Sequence, residues 1–299
     1  MSGAEPELSP GHQQELARAY RLLESDNFAT RLTDYAGKPI HGVLARMPKP
    51  MRRAVDRAVE RAIQECLKVA LRSLNNEPKK RPSTRLASTL AGVAGNLHRL
   101  DELPERILHQ HDIGGFLRHF GAASLPVELP VTTILILRAI ADIARHYGED
   151  LSTIEGRLTC VEVFAHGSNK ETGERHAGSE RRADVGYYAS RAMLGRLANE
   201  ASSLLLERGA TNLAAPAVAA LTGEVASRFG VVVWEKIAAS AIPLAGAAGA
   251  ATINVLFMNH FLAIARGHFM LRRLERIHGE EAIRSHYRRL SRGSSDHAT

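Results

Sequence analysis

Residues 131–147, VTTILILRAIADIARHY, decide the fold. Ile134, Ile136, Leu137, Ile140, Ala141, Ile143 and Ala144 cover most of a helical circumference, and no alternation of period two competes with that reading. A helix that is apolar nearly all round belongs in a protein core. Pro126 and Pro130 stand just ahead of it, where a missing N–H costs a helix nothing, so the spacing places the helix start at 131. The whole chain agrees with this segment. Its 299 residues are 44% hydrophobic but only 5% aromatic, and such a core suits packed helices better than sheets. The expected fold is an all-α, single-domain, multi-helix bundle with an Ala/Gly-rich central segment. A charged fraction of 24% is that of an ordinary globular protein and excludes disorder throughout the chain.

Outward from that helix, the pattern predicts helices over 13–23, 51–74, 104–111, 153–165, 184–206, 212–229, 244–277 and 280–292. In 51–74 the stripe Val55, Val59, Ile63, Leu67 and Leu71 repeats every fourth residue. Ser152 reads as the cap of the 153–165 helix, with Glu155 completing a capping box. Gly114–Gly115 reads as a break, and Gly230 as the divider before VVVWEK, a valine-rich run assigned to helix because no partner strand is evident. Residues 75–83 and 167–180 read as polar loops, and 86–97 as a small-residue segment. The divisions are a disordered tail over 1–10, an N-terminal helical region with linker over 11–84, a helical core over 85–292 and a disordered tail over 293–299. The first residues are polar and have no apolar signal-like stretch, so a cytoplasmic setting is expected. Cys66 and Cys160 lie in apolar stretches and read as buried, reduced thiols.

Three stretches taken in order carry a family resemblance: LPVELPVTTILILRAIADIARHYGEDL (125–151), RLTCVEVFAHG (157–167) and the segment from SRFGVVVWEK to RRLERIHG (227–279). Together they resemble the EcsC family over roughly residues 85–290. The resemblance implies a bacterial, α-helical protein of unestablished activity, in the setting of an ABC transporter. Asn259 stands where that pattern commonly has an acidic residue, and His166 where it is usually apolar.

Two polar stripes are candidates for function. Arg138, Asp142 and Arg145 fall on one narrow stripe of the 131–147 helix. They read either as a buried ion network or as an anion-binding wall, with Glu224, Glu235 or Glu275 as counter-charges. Arg228, four residues after Glu224, joins that network. The second stripe is a heptad-like seam: Asn254, Phe257, Phe261, Ile264, His268, Leu271 and Glu275, with His260 beside it. Its polar members set helix register or, in the alternative reading, serve a hydrolase, with or without a metal, on the polar face of 244–277. The eight residues from His260 to His268 are not metal-ligand spacing, so no metal and no cofactor are expected. Glu162 and His166 read as a solvated pair. No nucleophile elbow, phosphate loop or dinucleotide fingerprint is present in the sequence.

Residues 237–258, IAASAIPLAGAAGAATINVLFM, contain no charge. They are long enough to span a bilayer, but Ala and Gly dominate and Pro243 interrupts them. Residues 266–292 then carry eight arginines against three glutamates. Arg272, Arg273, Arg276, Arg284, Arg288 and Arg289 are the candidates for contact with anionic headgroups. The expected partner is an anionic membrane surface or a membrane protein, not nucleic acid, with the protein peripheral at the inner membrane.

Overall fold

The computed structural model describes residues 8–24, 28–36, 49–73, 113–168, 187–208, 215–240 and 246–296. The sequence readings for 75–83, 86–97, 104–111, 169–180 and 241–245 lie outside the described residues. The chain forms α1 (Pro10–Glu24), α2 (Phe28–Ala36), α3 (Lys49–Ser73), α4 (Ile113–His146), α5 (Ile154–His166), α6 (Tyr187–Arg208), α7 (Pro216–Ser240), α8 (Gly246–His278) and α9 (Glu280–Asp296). No strand occurs among the described residues, so the fold is an all-α multi-helix bundle.

α8 is the axis of the bundle. It packs against α1, α2, α4, α5, α7 and α9, and residues 267–271 are all buried in succession. A one-sided stripe does not have that signature; a helix with neighbours on every side does. Around its middle, Phe28, Phe164, Phe229, Phe257 and Phe261 come from four helices and are fully buried. Phe164 lies 5.2 Å from Phe229 and 5.3 Å from Phe261, ring centre to ring centre, and Phe257 lies 5.2 Å from Phe261, inside the range of favourable aromatic contacts. A chain with few aromatic residues concentrates them at one point.

Several boundaries differ from the sequence reading, each for a local reason. α4 starts at Ile113, so Gly114–Gly115 is not a break and both prolines lie within the helical span. The cap of α5 is Thr153, not Ser152: its Oγ1 accepts from the Gly156 N–H at 3.0 Å and donates to the Asp150 carbonyl at 2.8 Å. Glu155 therefore falls one place short of a capping box. Gly230 does not divide α7. It is buried in the contact with α3, where a Cβ would lie 3.7 Å from Val59 Cγ1, an ordinary packing distance.

α4 ends in a Schellman turn. Gly148 has φ of +81°, its N–H donates to the Arg145 carbonyl, and the Glu149 N–H donates to the Ala144 carbonyl. In the first turn of α5, buried Arg157 donates to the carbonyls of Leu71, Ser152 and Thr153 and so caps the last turn of α3. Close approach decides the position of α1. A Cβ at Gly267 would lie 2.8 Å from Leu23 Cγ and 3.2 Å from the Ala19 carbonyl oxygen. Gly267→Ala should therefore destabilise the protein by about 1–3 kcal/mol through overpacking. Amide exchange in 10–24 should rise more than exchange in α3, and unchanged exchange would show that α1 does not rest on that glycine.

Candidate functional site

The buried polar groups gather where α5, α6, α8 and α9 meet. Glu162 and His166 lie one turn apart on α5, and both are buried, so they are not the solvated pair expected from sequence. His166 stacks on His268 with ring centres 5.0 Å apart and an interplanar angle of 27°. His268 Nδ1 shares a 2.6 Å hydrogen bond with the hydroxyl of Tyr187. Both nitrogens of His166, and Nε2 of His268, are buried without a hydrogen-bond partner among the described residues.

Burial sets the protonation states. It pushes His166 down to about 3, helped by the charges of Arg191 and Arg228. It pushes His268 well below the ordinary imidazole value, with His166, Arg191 and Arg272 adding to the effect. Burial raises the Glu162 carboxyl to about 7 against the pull of Arg272 and Arg191, and raises the Tyr187 phenol as well. The cluster is thus neutral imidazoles beside a neutral phenol, in a shell of arginines whose charges are answered elsewhere.

Those answers are ion pairs between helices. Glu275 accepts from Arg191 at 2.6 Å and from the Tyr188 hydroxyl at 3.0 Å. Burial works against charge on Glu149, but hydrogen bonds and attraction from Arg272 and Arg276 outweigh it and lower its pKa. Arg272 reaches Glu149 at 2.8 Å, Arg276 joins it, and Arg273 reaches Glu15 on α1 at 2.7 Å. Arg228 pairs with Glu224 at 2.6 Å and donates to Ser190 Oγ, which ties α7 to α6. His260 is bonded to the Gly167 carbonyl at 2.7 Å and lowered to about 4, chiefly by burial. Glu235 is raised to about 7 by burial.

The seam on α8 is buried from Phe257 to Glu275, whereas Asn254 is exposed and falls outside it. The other stripe is corrected. Arg138 is exposed, and Arg145 pairs with Asp142 at 2.9 Å within α4, their side chains 35% and 41% exposed. That face of α4 meets solvent, so the stripe does not cross to Glu224, Glu235 or Glu275. Among the proposed membrane-contact arginines, Arg272, Arg273 and Arg276 are engaged in the ion pairs above. Arg284 lies over the Tyr188 ring at 5.6 Å, Arg289 donates to His286, and Arg288 is half-buried. Tyr187, Tyr188, Arg191 and Glu149 were not singled out from sequence. The Tyr-Tyr pair opening a helix, in a chain with only six tyrosines, was the available signal. The two cysteines are buried, and burial raises both thiols far above their ordinary value. Among the described residues no three His, Cys, Asp or Glu side chains gather as metal ligands.

The chain belongs to the EcsC protein family, whose model matches residues 12–274. The match includes α1 to α3, which precede the three stretches that carried the resemblance. No curated protein and no solved structure matches the chain.

Two outcomes follow from these charges. Removing Glu275, whose side chain is 7% exposed, strands Arg191, so Glu275→Ala should cost about 3–5 kcal/mol, while Asp142→Ala should cost under about 1 kcal/mol. Equal losses in denaturant titrations would contradict this ranking. The Glu162 carboxyl is raised from 4.5 to about 7, so its stabilising contribution is present below the lower value and is lost as pH rises through the higher. The lowered histidines have the opposite sign and lose stability on acidification below about 6.5. Glu162→Gln should therefore gain stability relative to wild type between about pH 5 and about pH 8. A pH-independent difference would mean that Glu162 is solvated.

Proposed function

We propose that this EcsC family member is an accessory or regulatory protein without catalysis of its own. In this reading it works reversibly at the cytoplasmic surface of the bacterial inner membrane, in the transporter setting that the family resemblance implies. The observation that carries the reading is the uncharged run 237–258, which supplies the end of α7 and the start of α8. A span is disfavoured. α7 has the length and a mean hydropathy of 1.3 over its most apolar window, but 61% of that window is buried inside the bundle. Its apolar surface is used in the core, as in the central helix of a water-soluble domain. The absence of catalysis is supported by dispersal. His260 is engaged at the end of α5, His268 and Glu275 by α6, Arg272 by the turn after α4 and Arg273 by α1, which fixes helix register instead of assembling groups around a substrate.

A second reading, hydrolysis on the polar face of α8, is favoured by one observation. Three imidazole nitrogens of His166 and His268 are buried without partners among the described residues, beside Tyr187 and Glu162. Turnover of model esters or phosphoesters that disappears in His268→Gln, with helical content retained, would replace the first reading with this one.

The membrane reading is tested by flotation of the full chain. It should rise with vesicles containing anionic lipid at low salt, leave them as salt increases, and remain in solution with neutral vesicles. Failure to float with anionic vesicles at low salt would end the proposal, and release by detergent alone would establish a span.

A further inference from the structure

The uncharged run and the arginines in the last turns of α8 are far apart in space. α8 has 33 residues, so it is about 50 Å long at about 1.5 Å per residue. The uncharged run lies at its start. Arg272, Arg273 and Arg276 lie in its last turns, where Glu149 and Glu15 already pair with them. The cations that accompany the uncharged end must come from elsewhere in the chain, and helix directions identify them.

Along α7, Gly230 faces Val59 and the Trp234 indole N–H donates to Asp56 Oδ1 at 3.2 Å, so α7 and α3 are antiparallel. Phe229 lies 5.5 Å from Phe261, and Lys236 Nζ lies 4.8 Å from the Phe257 ring, so α7 and α8 are also antiparallel. The start of α3, the end of α7 and the start of α8 therefore share one end of the molecule. From the level of Asp56, Trp234 and Phe257, α3 continues for about 10 Å to Lys49 and α8 for about 17 Å to Gly246. At this end α3 exposes Lys49, Arg52, Arg53 and Arg57, and Arg61 continues the exposed basic face at the middle of the helix. Lys49, Arg53, Arg57 and Arg61 are four apart and form one stripe. Of the two acids between them, Asp56 is hydrogen-bonded to Trp234 and Glu60 stands alongside.

We propose that this end of the molecule, where α3 begins with its basic stripe and α8 begins without charge, is the face that docks on an anionic bilayer. The inference rests on the membrane reading above and assigns its surface. A bilayer interface is the partner whose chemistry matches both halves. Its headgroups attract cations, with about 1 kcal/mol per Lys or Arg held near the surface, and the layer beneath accepts a segment without charge. A nucleic acid would leave the uncharged segment without a counterpart.

Vesicles of phosphatidylcholine with phosphatidylglycerol are the probe, and the full chain is used throughout. One variant combines Lys49→Gln, Arg53→Gln and Arg57→Gln. A second combines Arg266→Gln, Arg288→Gln and Arg289→Gln, which removes the same charge from the C-terminal part of α8 and from α9. Circular dichroism confirms that both fold. The α3 variant should lose about tenfold or more in partitioning at low salt, and the second variant should stay near wild type. Equal losses, or a greater loss in the second variant, would overturn the assignment of the face while leaving membrane binding intact. A wild-type chain that ignores the vesicles would overturn membrane binding itself, and this assignment with it.

Discussion

A buried charge on a central helix demands a partner from a neighbouring element, and α8 carries several charged or polar groups at its contacts. His260, His268 and Glu275 are buried on it, and Arg272 and Arg273 are half-buried. An unpaired buried charge costs far more than a hydrogen bond contributes, so each group restricts where its neighbours sit. Glu275 positions α6 through Tyr188 and Arg191. Arg272 positions the turn after α4 through Glu149, and Arg273 positions α1 through Glu15. His260 holds the end of α5 at Gly167. Because these partners come from different elements, one helix fixes the register of most of the bundle.

The apolar contribution is complementary and less selective. The cluster of Phe28, Phe164, Phe229, Phe257 and Phe261 supplies burial at the point where four helices cross, and any large side chain of suitable shape would contribute similar transfer energy. Small residues set the distances. Gly267 lets the α1 backbone approach α8, and Gly230 lies in the contact between α7 and α3. Aromatic bulk at the crossing and glycine where α1 meets α8 shape the bundle at these two points.

Proximity in sequence misleads in a fold of long helices. Uncharged 237–258 and the arginines within 272–276 follow one another in the chain, yet a rod about 50 Å long carries them to opposite ends. Arg272, Arg273 and Arg276 of the later segment are held in ion pairs with Glu149 and Glu15. The stripe on α3, far away in sequence, shares an end with the uncharged run because α7 is antiparallel to both α3 and α8.

The all-α class and most helix positions were legible because apolar periodicity is a local property. The stripe of α3 from Val55 to Leu71 and the seam of α8 from Phe257 to Glu275 are buried as their spacing requires. Family membership was legible from three ordered stretches for the same reason. Which polar residues meet was not legible. The local pattern correctly placed Arg145 near Asp142 and Arg228 near Glu224, since one helical turn suffices for both pairs. It could not show that Asp142 faces solvent, or that Glu162 and His166 are sealed between helices. Exposure depends on what covers a helix face, and that cover arrives from elsewhere in the chain. The union of Tyr187, His166 and His268, like the pairing of Glu275 with Arg191 at a separation of 84 residues, exists only once the helices pack. Helix periodicity belongs to neighbours along the chain, whereas the partner of a buried charge is selected by the three-dimensional arrangement that makes burial tolerable.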